Sequence, residues 1–351
     1  MDAMDAPATT GPVTTTAGAP DPVVGAAATV GVPVAATTAV TAPVPVPATT
    51  TVNLPMALSP SRAADFMTCP LLFRFRVIDK LPERKSAAAT RGTLIHAVLE
   101  HLFDLPTGQR TPTSASGMLS PEWERMVQAD PELKALAEEA GGDEAWLKGA
   151  VDLLERYFRL EDPNRLEPAE RELFVHARIA DGLLLRGFVD RLDVAPNGAL
   201  RVVDYKTGRA PGPAFEGKAL FQMKFYALVL WKTRGVVPRR LQLMYLGGES
   251  QIVTYDPDES DLRATERKVA ALWSAIRAAA ERGEWRANPS RLCDWCDHKA
   301  LCPEFGGTPP VLPPVELVEA SDAVPGQRGR SAAGTATASD ATVSEQSEPE
   351  D

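Results

Sequence analysis

The spacing of apolar residues predicts helices in the first half of the folded chain. Apolar side chains recur every three or four positions after Gly92, which is typical of one face of a helix over Thr93–Phe103. The same spacing continues over residues 121–160. The residues that interrupt this second region are Pro121, Pro131 and the pair Gly141-Gly142. A shorter helix, Arg62–Thr68, follows a serine and proline start signal, and the next proline ends it near Cys69.

The hydrophobic pattern then changes from a helical to an alternating period, which predicts strands. The predicted strands are Leu173–Ile179, Leu183–Val194, Ala199–Lys206, Leu241–Leu246 and Gln251–Tyr255. Helical spacing returns over Phe215–Lys232 and over residues 258–282, whereas residues 285–306 are typical of a loop. This order of elements predicts an α/β or α+β domain, with a central mixed sheet flanked by helices.

Composition limits the folded part of the 351-residue chain to about residues 54–306. Residues 1–53 are almost entirely Ala, Thr, Val, Pro and Gly, and residues 307–351 are rich in Pro, Ser, Ala, Gly and acids. Such segments bury too few large side chains to offset their ordering entropy, so we expect two disordered tails, the second acidic. The net charge of −10 lies mostly in these tails, because residues 54–306 hold 36 acidic and 35 basic residues.

The sequence shows neither the pattern of a membrane span nor that of a secretory signal. No uninterrupted apolar stretch reaches the roughly 18 residues that a membrane span needs, and the N-terminus lacks the cationic start of a secretory signal. We therefore expect a cytoplasmic protein without a membrane partner. Disulfides are rare in that compartment, so the four cysteines need another role.

The strongest candidate site lies on the hairpin formed by the second and third predicted strands. The three-residue turn Pro196–Gly198 is a common hairpin connection, and it places Ala195 opposite Ala199. Counting back from this pair places Asp190 opposite Asp204, with Cβ atoms about 5 Å apart. We therefore expect two carboxylates to share one patch at the end of the hairpin.

Lys206 projects from the same face as Asp204, because side chains alternate along a strand. Adjacent carboxylates repel each other, and a hard cation such as Mg²⁺ relieves that repulsion. Such a cation can activate water and stabilise charge on a phosphate, and Lys206 adds a fixed positive charge. The alternative is a surface hairpin with a solvated salt bridge, because a D-x-K pattern alone is common.

Three further side chains are candidates for the same site. Gln222 and Tyr226 lie four residues apart on the following predicted helix, hence on one face, and both can donate hydrogen bonds to DNA, to phosphate or to carboxylates. His96 lies within the amphipathic helix after Gly92. The alternative for all three is ordinary packing.

Taken together, these motifs resemble those of a known family. Their order is Arg91–His96, Gly187–Asp190, Asp204–Gly208 and Gln222-x-x-x-Tyr226. This arrangement resembles the RecB-type branch of the PD-(D/E)XK nuclease superfamily over essentially residues 56–306. The resemblance implies a restriction-endonuclease-like sheet and a metal-dependent nuclease.

The resemblance also implies roles for individual residues. The implied ligands of Mg²⁺ or Mn²⁺ are His96, Asp190, Asp204 and the backbone carbonyl of Tyr205. Lys206 would be the catalytic lysine, and Gln222 and Tyr226 match the Q-x-x-x-Y motif of the family. A glutamate ahead of the first sheet strands also belongs to that pattern, but Glu170 and Glu172 match it loosely and neither is assigned.

The four cysteines can all be assigned to one metal centre. Three of them form the pattern Cys293-x-x-Cys296-x₅-Cys302, and Cys69 lies more than 200 residues earlier. Four thiolates suit structural Zn²⁺ or a 4Fe–4S cluster, and the spacing leaves both open. The alternative is that one or more are inert buried thiols.

Resemblance favours the cluster over zinc. Nuclease domains of the AddB type and of the CRISPR-adaptation exonucleases have one cysteine before the nuclease core and three after it, which hold a 4Fe–4S cluster. Cys69 and the later trio are similar to that layout. The resemblance implies a cluster that staples the C-terminal segment against the N-terminal helix.

Contact with DNA has several local candidates. The basic clusters are Arg74, Arg76 and Lys80; Arg84 and Lys85; Arg239 and Arg240; and Arg286 and Arg291. Trp285 and Trp295 lie near the cysteines, where they can stack on bases. The alternative for each basic cluster is a solvated surface.

The leading hypothesis is a metal-dependent DNA exonuclease that acts on single-stranded ends in DNA repair or recombination, the strand preference following from the family. The alternatives are a non-cleaving DNA-binding or scaffold protein, a CRISPR-adaptation-type nuclease, and a zinc-stapled protein whose acidic hairpin is incidental. The sequence contains no Walker A signature, so we expect any helicase motor to be a separate partner.

Overall fold

The structure is a computed structural model that describes residues 51–212 and 216–323. Residues 1–50 and 324–351, most of the two predicted tails, lie outside the described residues. The strands are β1 (Val52–Pro55), β2 (Ala57–Leu58), β3 (Glu170–Arg178), β4 (Leu184–Val194), β5 (Leu200–Lys206), β6 (Arg240–Tyr245), β7 (Gln251–Tyr255) and β8 (Val315–Val318). The helices are α1 (Pro60–Thr68), α2 (Pro70–Phe73), α3 (Ala87–Leu102), α4 (Pro112–Ala129), α5 (Lys134–Glu139), α6 (Asp143–Leu160), α7 (Glu216–Arg234) and α8 (Glu259–Arg282). In the described part of the chain, no helix is long and apolar enough to cross a membrane.

The main sheet has six strands, and β4 connects its two parts. The order is β2, β4, β5, β6 and β7, and β3 pairs with the other edge of β4. The β3–β4, β4–β5 and β6–β7 pairs are antiparallel, whereas β2–β4 and β5–β6 are parallel. The predicted central mixed sheet flanked by helices is therefore confirmed.

The predicted register of the β4–β5 hairpin is also confirmed. The three-residue turn closes between Ala195 and Ala199, and the ladder runs back to the pair of Arg191 with Val203. The next residue on β4 is Asp190, where regular pairing with β5 ends. The two strands therefore separate at the acidic residue.

Two hydrophobic cores cover the two faces of the sheet. Helices α3, α4 and α6 pack on one face, and α1, α7 and α8 pack on the other. Alternate residues of β5 belong to different cores: Tyr205 lies in the first, and Val202 lies in the second. Asp204 and Lys206 share the parity of Val202, so they face α7.

Helix α3 begins earlier than predicted. Ser86 accepts a hydrogen bond from the amide of Ala89, and this cap starts the helix at Ala87. Gly92 consequently lies inside the helix and not before it. A β-carbon at Gly92 would meet Thr207 Oγ1 at 3.3 Å, so the glycine lets α3 approach the end of β5.

Helix α4 also differs from the prediction. It begins at Pro112, because Thr111 caps it and proline is favoured at a first helical position. Pro121 lies inside this helix and does not interrupt it. The other two interruptions are confirmed, since Pro131 begins a short 3₁₀ turn and Gly142 precedes α6.

The described structure continues beyond the predicted boundary at residue 306. Strand β8 lies in the segment expected to be a disordered tail, and it pairs in parallel with β1. The buried guanidinium of Arg74 donates to the carbonyl of Pro310 and holds the same segment. Composition concealed this strand because it is short and its partner lies at the other end of the domain.

We predict that Gly247→Ala destabilises the fold. A β-carbon at Gly247 would lie 2.5 Å from the backbone carbonyl carbon of Gly208, which cannot move without displacing the end of β5. The expected loss in the free energy of unfolding is about 1–3 kcal/mol, measured by urea denaturation. The matched control is Gly117→Ala in α4, where no atom lies within 4 Å, and it should be neutral or stabilising. Equal stability of the two variants would contradict this account.

Candidate active site

The candidate site lies where β4 and β5 separate. The amide of Tyr205 donates a hydrogen bond to Asp190 Oδ2 at 2.7 Å, so a side-chain carboxylate takes the place of a backbone partner. On that edge, β4 pairs with β2 at Leu184 and Leu185 and with β5 from Arg191 onward. The intervening stretch of edge is open, and Asp190 lies at its end.

A chain of polar contacts links β5 to α7. Lys206 Nζ lies 2.6 Å from Asp204 Oδ2 and donates to Gln222 Oε1 at 3.0 Å. The Gln222 amide donates to Asp204 Oδ1 at 2.9 Å and lies 3.3 Å from the hydroxyl of Tyr226. The structure therefore brings together four of the residues that the sequence placed in the site.

Glycine makes room for one member of this chain. A β-carbon at Gly187 would lie 2.7 Å from the ring of Tyr226. The absence of a side chain on β4 at this position lets the tyrosine ring pack directly over the strand. The glycine of the Gly187–Asp190 motif thus positions the last residue of the Gln222–Tyr226 motif.

His96 and an additional glutamate complete the acidic side of the site. His96 Nδ1 lies 3.5 Å from Asp190 Oδ2 and 3.8 Å from Glu172 Oε1. The other ring nitrogen, Nε2, donates to the carbonyl of Tyr205 at 2.9 Å. The backbone of one residue, Tyr205, therefore connects the cluster, because its amide binds Asp190 and its carbonyl binds the histidine.

The charges of the cluster shift its pKa values. Burial lowers the pKa of His96, but the close carboxylate of Glu172 and the charges of Asp190 and Asp204 outweigh this effect and raise the pKa to about 9. Burial and then the charge of Asp204 raise the pKa of Asp190 to about 7, against the opposing charge of His96. Near neutral pH, His96 is therefore protonated and balances the surrounding carboxylates.

The donor atoms at this point suit a hard divalent cation. Ligand atoms of His96, Glu172 and Asp190 all lie within 4.8 Å of one another, which no other trio of potential ligands among the described residues achieves. Carboxylate oxygens and an imidazole nitrogen are ligands that Mg²⁺ and Mn²⁺ accept. Asp204 lies outside this trio, so the set differs from the one implied by resemblance in including Glu172.

Glu172 is the residue that sequence reasoning leaves unassigned. Glu170 and Glu172 have the same parity along β3, so alternation does not distinguish them. The register of β3 with β4 distinguishes the two glutamates, because it places Glu172 opposite Asp190. The turn Ala180–Gly182 is a three-residue connection like the one that located Asp190, and counting back from it gives the same result. Glu172 also has a left-handed φ of 43°, a strained conformation for this residue type.

A buried arginine supports the site from behind. Arg191 is fully buried, and its guanidinium binds Glu161 at 2.6 and 2.9 Å and Asp193 at 3.1 Å. It also donates to the hydroxyl of Tyr205 at 2.8 Å. The side chain of Tyr205 is thus held on one side of the sheet, while its backbone amide and carbonyl bind Asp190 and His96.

The four cysteines line one small cavity of about 50 Å³. The amide of Asn288 donates to Cys69 Sγ at 3.4 Å, and that of Ser290 donates to Cys293 Sγ at 3.3 Å. Burial raises the pKa of Cys296 against the opposing hydrogen bond from the backbone of His298, and the other three thiols add to the increase. Among the described residues, no three cysteine sulfurs lie within 4.8 Å of one another. The structure therefore brings the four cysteines to one cavity, but among the described residues it does not group three of their sulfurs as a set of metal ligands.

Several expected DNA contacts differ in the structure. Trp285 is buried and stacks on Phe73 at 5.7 Å, so its ring is unavailable to a base, whereas Trp295 is exposed. Most of the basic clusters carry ion pairs within the chain, as Arg76 does with Asp65 and Glu83. Proximity in the sequence identifies these clusters, but it does not reveal their acidic partners.

Comparison with known proteins identifies the family of the chain. Residues 57–303 match the family model of the PD-(D/E)XK nuclease superfamily. The chain therefore belongs to the PD-(D/E)XK nuclease superfamily, whose members act on nucleic acids.

Similarity to individual proteins is distant. The Gene 69 protein of Mycobacterium phage L5 is 32% identical over 127 residues, which span 36% of this chain and 41% of that protein. The Gene 69 protein of Mycobacterium phage D29 is 27% identical over 277 residues, covering 70% of this chain and 96% of that protein. The crystal structure of a "Putative exonuclease" from Eubacterium rectale is similar with a TM-score of 0.46 and 15% identity, covering 69% of this chain and 88% of that one.

We predict that Arg191→Met strongly destabilises the protein. The substitution leaves the buried Glu161 and Asp193 with only the partly exposed Arg201 as a cation, and breaking a buried pair in this way costs about 3–5 kcal/mol. The free energy of unfolding in urea measures the loss. Arg263→Met is the matched control, because Arg263 forms an exposed pair with Glu259 and should change stability by less than about 1 kcal/mol. A small effect at Arg191 would contradict the described network.

Proposed function

We propose that the protein is a metal-dependent DNA exonuclease of the RecB-type branch, which degrades single-stranded ends in repair or recombination. The observation that carries this proposal is the trio of His96, Glu172 and Asp190 beside the ion pair of Lys206 with Asp204. A cation-binding set and a fixed ammonium on adjoining strands are the parts that phosphodiester hydrolysis needs.

The cation would be Mg²⁺ or Mn²⁺, held by His96, Glu172 and Asp190 with Asp204 nearby. When bound, it supplies the positive charge that activates water and stabilises charge on the phosphate. Before the cation binds, the proton on His96 neutralises part of the negative charge of the neighbouring carboxylates.

Each remaining polar group has a role in orientation. Asp204 and Gln222 hold the Lys206 ammonium, which places its charge beside the phosphate and the attacking water. Gln222 is in turn oriented by Asp204 and lies next to Tyr226. The Lys206 ammonium is thus already oriented toward the phosphate before the reaction, and little reorganisation is needed during it.

We predict that Lys206→Met and Asp204→Asn each reduce DNA cleavage by about 100-fold or more, because the first removes the ammonium that stabilises charge on the phosphate and the second removes the carboxylate that holds this ammonium. The measurement is the rate at which an end-labelled single strand is shortened with Mn²⁺. The matched control is Lys232→Met. It removes a lysine of α7 that pairs with Glu266 of α8, and it should leave the rate unchanged. Undiminished degradation by purified Asp204→Asn would overturn the assignment.

A test of exonuclease against endonuclease action uses a substrate without ends. An exonuclease spares a circular single strand under conditions that degrade the linear form. Cleavage of the circle at the same rate would make the enzyme an endonuclease, and binding without cleavage of either form would make it a non-cleaving DNA-binding protein.

We further propose that Cys69, Cys293, Cys296 and Cys302 hold a 4Fe–4S cluster. A tetrahedral zinc site, with Zn–S bonds of about 2.3 Å, brings its sulfurs to within roughly 4 Å of each other. The four thiols share one cavity, and the layout of one cysteine before the nuclease core and three after it favours the cluster over zinc. The cluster would join the end of α1 to the segment after α8, and so act as a structural staple.

We predict that anaerobically purified protein absorbs near about 400 nm and contains iron. Cys296→Ala should lose both the absorption and the iron, and it should unfold at a lower temperature because the staple is broken. Metal analysis and a thermal melt provide the two readouts. Stoichiometric zinc without visible absorption would contradict the cluster.

A further inference from the structure

One face of the β3–β4 hairpin carries three successive cross-strand pairs that begin at the candidate active site. By the observed register the pairs are Glu172 with Asp190, Phe174 with Phe188, and His176 with Arg186. Each pair is two residues from the next, about 7 Å along the strands. The face therefore changes from acidic to aromatic to basic as it leaves the proposed cation site.

The aromatic pair forms an open apolar platform. The rings of Phe174 and Phe188 are 5.2 Å apart, and Phe188 is 39% exposed. The ring of His176 stacks on that of Phe174 at 5.4 Å, which fixes the orientation of Phe174. Phe188 lines both a cavity of about 550 Å³ that contains Asp190 and another of about 580 Å³ that contains His96. The platform is thus continuous with the acidic cluster.

Two arginines line the first of these cavities beside the platform. Arg186 projects from β4, and Arg62 projects from the first turn of α1. Within residues 51–212 and 216–323, neither guanidinium forms an ion pair. Burial and then the charge of Arg186 lower the pKa of Arg62, while Asp65 opposes the shift. Two cations that repel each other in a partly buried cleft attract an anion.

We propose that this face is a nucleotide subsite, in which Phe188 and Phe174 stack an unpaired base and Arg186 with Arg62 bind the adjoining backbone phosphate. The inference rests on the proposed nuclease function, and it extends that function to the strand beside the scissile bond. A base in a duplex has both faces covered by its neighbours, so the platform selects a strand whose bases are free to stack on protein.

Binding of a short fluorescein-labelled deoxythymidine strand, measured by anisotropy in EDTA, tests the subsite. Phe188→Ala should weaken binding about fivefold or more, the change expected for the loss of one base stack. The effect should vanish on a strand of the same length with abasic sites, which keeps the phosphates. Arg186→Gln should weaken binding of both strands and reduce the dependence of affinity on salt.

Matched controls exist on the same domain. Ile252→Ala removes an apolar side chain of equal exposure, 39%, from the distant edge strand β7, and Arg267→Gln removes an exposed arginine from α8. Both should bind like the wild type. Unchanged binding by Phe188→Ala, or equal losses on the normal and abasic strands, would overturn the subsite.

The binding assay contains no divalent metal, so its outcome does not depend on cleavage. A failed subsite would leave Mn²⁺-dependent cleavage by the wild-type protein in place. Failure of the proposed function would instead show as a wild-type protein that does not cleave.

Discussion

The hydrogen bond from the Tyr205 amide to Asp190 Oδ2 is the interaction on which the rest of the site depends. A strand pair normally satisfies such an amide with a backbone carbonyl, and the ladder would then continue. Here a carboxylate satisfies it, so β4 and β5 can separate without leaving a buried donor unpaired. The separation creates the opening into which His96, Glu172 and the platform of Phe174 and Phe188 face.

The same residue, Tyr205, also links the charged groups of the site. Its carbonyl binds His96, and its side chain is held by the buried Arg191 on the face of the sheet that α3 covers. The carboxylates near the opening are balanced by the His96 proton on one side and by Lys206 on the other. Such an arrangement suits a divalent cation, because the cation can replace the His96 proton and the carboxylates of Glu172 and Asp190 balance its additional positive charge.

Much of this site is predictable from local sequence, because it is built from hairpins. A hairpin with a three-residue turn defines its own register, and counting back from that turn is enough to place Asp190 beside β5. The same count from the turn at Asp181 and Gly182 assigns Glu172, which alternation alone does not distinguish from Glu170. Helical spacing likewise places Gln222 and Tyr226 on one face, and the structure brings both to Asp204.

The features that the sequence does not predict depend on contacts between distant segments. Strand β8 forms by pairing with β1, which lies at the other end of the domain in the sequence, so the local pattern of β8 does not predict it. Glycine usually interrupts a helix, which is why the pattern predicts a helix start at Gly92, but here the glycine allows α3 to approach Thr207. Trp285 lies near the cysteines in the sequence, where a contact with DNA is expected, yet it packs on Phe73, a contact that no local pattern reveals.

Titration of the metal-free protein with Mn²⁺, followed by the loss of the free-ion signal in electron paramagnetic resonance, tests the central claim most directly. The account predicts a specific Mn²⁺ site that Asp190→Asn and Glu172→Gln each weaken at least about tenfold. Asn at position 190 still accepts the Tyr205 amide, so the strand separation should survive the change. Mn²⁺ affinity that is unchanged in both variants would contradict the assignment of this opening as the cation site.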